Sequence, residues 1–197
     1  MPAVRIFVAI ELPSTVLDAL EEMQSRLRHG KGGRAGRWVA RDNIHLTLKF
    51  LGDIPEEALN GIFAAVQQAC AGHAPFEIHT TGPGCFPNTR RPRVIWAGVR
   101  EGTGRLTALQ RDIDRALARL GHAPDDRAFR PHLTLARIQR NAARIDIEAL
   151  GGAIADYAPE PPVSFTAHEV CTIKSDLRPQ GPVYTILSRA PLKASTD

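Results

Sequence analysis

Ile44-His45-Leu46-Thr47-Leu48-Lys49-Phe50 and Pro131-His132-Leu133-Thr134-Leu135-Ala136-Arg137 share the tetrapeptide His-Leu-Thr-Leu. A lone His-x-Thr carries little weight in a chain with seven histidines, but a second full copy inside a second apolar run does. Both runs read as short strands. Side chains alternate along a strand, so in each copy the imidazole and hydroxyl share one face and the two leucines share the other. The leucines are then expected in a core, and His45, Thr47, His132 and Thr134 in a cleft.

Outward from these strands the pattern alternates between the two periodicities. Residues 4–10 read as a buried strand. Val16, Leu17, Leu20, Met23 and Leu27 form a helical stripe behind a Thr15-x-x-Asp18 capping box. The basic, glycine-rich stretch 29–37 reads as a mobile loop. Leu59, Ile62, Phe63, Val66 and Cys70 mark a second helix after Pro55, and residues 76–80 a strand. Residues 82–93, rich in Pro, Gly and Arg, read as an irregular loop, and residues 94–99 as a strand. A third helix is marked by Leu106, Leu109, Ile113, Leu117 and Leu120. Polar residues 124–131 lead into the second motif strand, 132–138, and residues 145–157 form a fourth helix. Strands near 163–165, 169–174 and 183–188 complete the chain, the last two joined through 176–182. In each half a helix precedes a motif strand and another follows. The expectation is an α+β fold of two pseudo-symmetric lobes, each an antiparallel sheet with outer helices, with the cleft between them. Residues 1–197 form one bilobal domain with half-sites at 45–48 and 132–135.

Composition narrows the functional classes. The chain has 197 residues, 43% hydrophobic and 23% charged, which is ordinary for a globular protein. No apolar run approaches the roughly 18 residues needed to span a bilayer, and no secretory leader is read at the start. Cys70, Cys85 and Cys171 show neither disulfide-framework nor zinc spacing, which favours a reducing cytoplasm. The net charge of +4 favours an anionic partner.

Two imidazoles facing one space can act as general acid and general base, since their ordinary pKa near 6.5 lets one be charged while the other is neutral. Two hydroxyls beside them can hydrogen-bond phosphate oxygens. A phosphoester fits between two such pairs: one histidine takes a proton from the nucleophile and the other gives one to the leaving oxygen. No carboxylate stands at metal-ligand spacing, so neither metal nor cofactor is expected.

Three stretches carry a resemblance. They are Trp38-Val-x4-Ile44-His-Leu-Thr-Leu-Lys-Phe-Leu-Gly-Asp53, Phe86-Pro-x4-Pro92-x-Val-x-Trp96 and Phe129-x-Pro-His-Leu-Thr-Leu-Ala-Arg137. Together with Gly181-Pro-Val-Tyr184 and Pro191-Leu192, they make the chain resemble the RNA 2′,3′-cyclic phosphodiesterases. These are two-histidine phosphoesterases of the 2′–5′ RNA ligase family, marked by paired His-x-Thr-x motifs. The resemblance implies metal-independent opening of a 2′,3′-cyclic phosphate to a 2′-phosphate. It implies His45 as proton donor to the 3′-oxygen and His132 as proton acceptor from water. Thr47, Thr134 and Arg137 would hold phosphate oxygens. The partners implied are RNA ending in a 2′,3′-cyclic phosphate, or cyclic nucleotides, with no membrane, and a monomer as the working unit.

Strict alternation puts Arg137 on the leucine face, so a bulge or the strand end must re-aim it. By the same rule Lys49 falls on the His45 face as an exposed sheet lysine, while Phe50 is in phase with Leu46 and Leu48 and belongs to the core. Cys70 reads as core and Cys85 as an exposed neighbour of the loop containing Arg90, Arg91 and Arg93. That loop reads as solvated. Two alternatives stay open: a 2′–5′ RNA ligase using the same acid–base pair in reverse, and a module that binds RNA ends without turnover.

Overall fold

A computed structural model describes residues 3–125, 127–179 and 181–193; position 126 of the expected 124–131 loop and position 180 of the expected 176–182 connection lie outside the described residues. In chain order the elements are β1 (Ala3–Ile10), α1 (Ser14–His29), β2 (Gly36–Trp38), β3 (Leu46–Pro55), α2 (Leu59–Cys70), β4 (Phe76–Phe86), β5 (Val94–Arg100), α3 (Arg105–Ala118), β6 (His132–Ile138), α4 (Arg144–Ala155), β7 (Ser164–Ala167), β8 (Glu169–Arg178) and β9 (Gly181–Pro191). All nine strands belong to one antiparallel sheet in the order β7-β4-β5-β6-β3-β1-β8-β9, with β2 on β6. This is the α+β, two-lobed arrangement expected from the pattern, but the lobes are joined. Motif strands β3 and β6 are neighbours at the centre, linked among the described residues by the single pair Leu46↔Leu133.

Sequence alternation explains which face of the sheet is covered. Val4, Ile6, Val8 and Ile10 of β1, Leu46 and Leu48 of β3, and Leu133 and Leu135 of β6 are buried in one large core beneath the helices. Each side chain of this kind stabilises the fold by about 1.5–3 kcal/mol on burial. The helices add Val16, Leu20, Met23 and Leu27 from α1, Ile62 and Val66 from α2, and Leu106, Leu109, Ile113 and Leu117 from α3. The other face bears a small cluster: Phe7, Ala9, Cys171 and Ile173, with Tyr184 and Ile186 against it.

The lobes are not successive halves of the chain. α1 packs against α4, while α3 packs against α2 and β3, so each early helix crosses to the side opposite its motif strand. Three expected loops are more ordered than their composition suggests. In the 29–37 stretch a 3-10 turn at Gly33–Ala35 leads into β2, and Gly33, Ala35 and Gly36 are buried. Gly32 has φ 77°, and a Cβ there would lie 2.2 Å from the Asp146 carbonyl oxygen, so only glycine lets this turn seat on α4. The 82–93 segment is largely strand, since β4 runs on to Phe86, and Cys85 is buried rather than exposed. β8 and β9 likewise extend into 176–182, pairing as far as Arg178↔Gly181. The capping box at Thr15 does not form; α1 starts behind Pro13, and Asp18 pairs with Arg41 instead. Cys70 is core, as expected.

Candidate active site

The two half-sites meet across the central seam. Carried one step either way from Leu46↔Leu133, the antiparallel register sets His45 opposite Thr134 and Thr47 opposite His132. The two imidazoles are then diagonal neighbours, roughly 7–8 Å apart on a regular ladder, which is a span a phosphate can bridge. Both threonines are half-buried between fully buried leucines, so both hydroxyls stand on the face away from the helices.

A matched irregularity follows each motif. In β3, Thr47 pairs with Ala9 but Lys49 pairs with Val8, leaving Leu48 as an extra residue. In β6, Thr134 pairs with Trp96 and Ala136 with Ile95, leaving Leu135 extra. A bulge of one residue reverses the phase of everything beyond it. Arg137 is thereby brought to the His132 face, and it lies close enough to Tyr184 to act on its phenol.

The same reversal overturns two expectations. Lys49 is not an exposed lysine on the His45 face. It is 3% exposed on the helix side, where its Nζ meets Asp114 at 2.5 Å and Asp125 at 3.5 Å, and donates to the Ala123 carbonyl at 2.8 Å. Phe50 is not core. It is 64% exposed beside Phe7 on the His45 face, at the position in its half-site that Arg137 occupies in the other. Each bulge carbonyl is met by a buried glutamine from a helix. Gln24 Nε2 of α1 donates to Leu135 at 2.8 Å and to Val39 at 2.9 Å, and Gln110 Nε2 of α3 donates to Leu48 at 3.5 Å.

The imidazoles are held differently from above and alike from below. His45 stacks on Phe7 at 4.5 Å between ring centroids and meets the edge of Tyr184 at 5.2 Å. His132 meets the edge of Phe86 at 5.1 Å. Each ring bonds the carbonyl two residues before it: His132 Nδ1 lies 2.7 Å from the Arg130 oxygen, and His45 bonds Asn43. A carbonyl can only accept, so His132 Nδ1 carries a hydrogen, and in the neutral ring Nε2 is left as a free base. Burial among the aromatic rings lowers His45 from its ordinary 6.5 to about 4, and the Asn43 bond opposes this. Burial raises the Tyr184 phenol, and the Arg137 cation pulls it the other way.

The structure thus brings His45, Thr47, His132, Thr134 and Arg137 to one face. Phe7, Phe86, Tyr184 and the carbonyls of Asn43 and Arg130 complete the surround and were not read as site residues. Among the described residues one trio has the ligand types and spacing of a metal site, Glu11, Glu169 and Cys171; it surrounds Arg189, whose guanidinium meets both carboxylates. Cys70, Cys85 and Cys171 are all free and buried. No helix of the described residues is long and apolar enough to cross a membrane.

Comparison with known proteins finds one consistent set of relatives. A sequence model of the 2′-5′ RNA ligase superfamily matches residues 12–179. The RNA 2′,3′-cyclic phosphodiesterase of Methanothermobacter thermautotrophicus is 35% identical over 92% of this chain and 95% of its own. The crystal structure of TT0787 of Thermus thermophilus matches with a TM-score of 0.76 at 32% identity, covering 97% of this chain and 99% of its own. That of Escherichia coli LigT complexed with 3′-AMP matches with a TM-score of 0.73 at 28% identity, over 97% and 99%.

Proposed function

The chain belongs to the 2′-5′ RNA ligase superfamily, and from that premise we propose that it hydrolyses the 2′,3′-cyclic phosphate ends of RNA to 2′-phosphates. The observation that carries the reading is the seam itself, the Leu46↔Leu133 pair, whose register carried one residue either way sets each histidine opposite the other half-site's threonine. A cyclic phosphate seated there has its nonbridging oxygens between Thr47 and Thr134, with Arg137 adding a charge-assisted bond. Water attacks phosphorus as His132 Nε2 accepts its proton. The bond from phosphorus to the 3′-oxygen breaks, and His45 gives that oxygen a proton. The products are a 2′-phosphomonoester and a 3′-hydroxyl, and the two histidines exchange protonation states.

Burial that holds His45 near 4 leaves it uncharged at neutral pH. A proton donor must be charged. The substrate phosphate supplies the correction, because an anion entering the same poorly solvated space raises the pKa of a neighbouring imidazole. The Asn43 carbonyl, which accepts from the ring, works in the same direction.

Small cyclic nucleotides as further substrates and a monomeric working unit belong to the same proposal, since both half-sites come from one chain. A cytoplasmic home rests on the three free thiols. Ligation is the same chemistry with a 5′-hydroxyl in place of water, the 3′-oxygen again being the leaving group. Water at about 55 M outcompetes an RNA end unless the site holds both strands in place. The test is product identity: an oligonucleotide ending in a 2′,3′-cyclic phosphate is incubated in EDTA and followed by phosphorus NMR. A 2′-monophosphate is expected. A 3′-monophosphate, or a 2′–5′ junction formed with little hydrolysis, would overturn the assignment.

A further inference from the structure

A groove that takes no part in the acid–base chemistry shares Phe86 with the surround of His132. It begins beside Phe86, whose ring centroid lies 5.1 Å from that of His132, and continues between residues 87–93 and the length of α4, with a volume of about 1590 Å³. Arg90, Arg91, Arg93, Arg127, Arg140 and Arg144 line it, against one carboxylate, Glu148. Glu148 is taken by Arg144 at 2.6 Å, and the other five guanidiniums, all exposed, have no ion-pair partner among the described residues. Six arginines and one carboxylate give the groove a net +5 against +4 for the entire chain, so the net positive charge of the protein is gathered here.

The arginines stand on fixed backbone. Asn88 Oδ1 accepts from the amides of Arg90 and Arg91, each at 3.1 Å. The Arg93 amide donates to Phe86 at 2.7 Å, and its carbonyl accepts from Ile138 at 2.9 Å, tying the loop to β4 and β6. At Gly151 of α4 a Cβ would lie 1.9 Å from the Thr89 carbonyl oxygen, so helix and loop are in direct contact through a residue without a side chain. Holding five unpaired like charges together costs self-repulsion, and a polyanion relieves it. Pro87, Ile138 and Ile147 give the same groove an apolar lining for sugar and base.

We propose that this groove holds the backbone phosphates of the single-stranded RNA that leads to the cyclic end. The proposal rests on the phosphodiesterase reading for the identity of that end. It makes an oligonucleotide a better substrate than a mononucleotide, by an electrostatic term that salt removes.

Binding is tested without turnover, using a labelled ten-nucleotide RNA with an ordinary 3′-hydroxyl, by fluorescence anisotropy between 50 and 200 mM salt. Wild type is compared with R90Q/R91Q/R140Q and with R90K/R91K/R140K, and cytidine 2′,3′-cyclic phosphate hydrolysis is measured on each. For single strands each phosphate contact contributes about 0.7 to the slope of log affinity against log salt, so the glutamine variant is expected to lose about 2 from it. Over this fourfold range of salt, wild type should lose about 20-fold more affinity than that variant. The lysine variant should keep the slope, and mononucleotide hydrolysis should stay within about twofold in all three. An unchanged slope in the glutamine variant would refute the groove. So would an equal loss of mononucleotide hydrolysis, which would assign these arginines to the reacting phosphate. RNA binding through the groove in a chain that leaves cyclic phosphates intact would uphold this inference and sink the phosphodiesterase reading.

Discussion

Replacing His45 by glutamine should change how stability depends on pH, and the structure sets the size. In the folded chain burial holds the imidazole at about 4, while in the unfolded chain it titrates at its ordinary 6.5. Between these values the unfolded state binds a proton that the folded state refuses, so stability falls as pH falls. The contribution is complete above 6.5 and gone below 4. One pH unit is worth about 1.4 kcal/mol, which makes the full loss about 3 kcal/mol, with about 2 kcal/mol of it reached at pH 5. Urea unfolding of wild type and His45→Gln at pH 7.5 and pH 5.0 isolates the effect. Carboxylates common to both proteins cancel in the difference. Wild type should lose about 2 kcal/mol more than the variant over that interval. Equal losses would refute the buried, uncharged state assigned to His45, and with it the account of how the substrate charges the ring.

Histidine NMR should show His45 titrating near 4 in the free protein and moving upward when a nucleoside 2′-monophosphate is added; a fixed value would mean that the anion does not share its space. Lys49→Met should destabilise the fold by about 3 kcal/mol by stranding Asp114, and the double variant with Asp114→Asn should recover most of this in thermal melts. Gln24→Leu should cost about 1–3 kcal/mol by removing the side-chain partner of the Val39 oxygen and one of the two donors to the Leu135 oxygen, which keeps the Val39 amide, and lower turnover by loosening the aim of Arg137. Gln110→Leu, whose bond is longer, should cost less, and a larger effect at Gln110 would contradict the bulge argument. Phe50→Ala should leave stability nearly unchanged and raise KM for a cyclic nucleotide about tenfold, through a lost stacking surface worth about 1–3 kcal/mol, while Phe50→Tyr keeps it.

The site was legible where strand alternation holds, and the errors begin where it stops. Leu46, Leu48, Leu133 and Leu135 lie in the core, as period-two reading requires. One residue later Lys49 and Phe50 are each on the face opposite to expectation, because Leu48 is an extra residue that no sequence period announces. Arg137 was out of phase by the same rule, and the second bulge resolves it. The two lobes follow from the order of elements, but the crossing of α1 and α3 does not. It depends on contacts far apart in sequence, such as Gln24 with Leu135. Phe7 and Tyr184 were hidden for a related reason: one read as a core strand residue and the other as part of a hairpin, and only the pairing of β1 with β8, and of β8 with β9, sets them around His45. The 29–37 stretch has loop composition, yet it is ordered by α4, which follows a hundred residues later.

The central claim is that two histidines from adjacent strands work as one acid–base unit without a metal. It is tested most directly by single-turnover hydrolysis of an RNA ending in a 2′,3′-cyclic phosphate, in EDTA, by wild type, His45→Ala, His132→Ala and the double variant. Wild type should be unaffected by EDTA, and each single variant should fall by at least about a thousandfold. The double variant should be scarcely worse than either single one, because groups that act together do not contribute additively. Abolition of wild-type activity by EDTA, or a single variant within about tenfold of wild type, would contradict it.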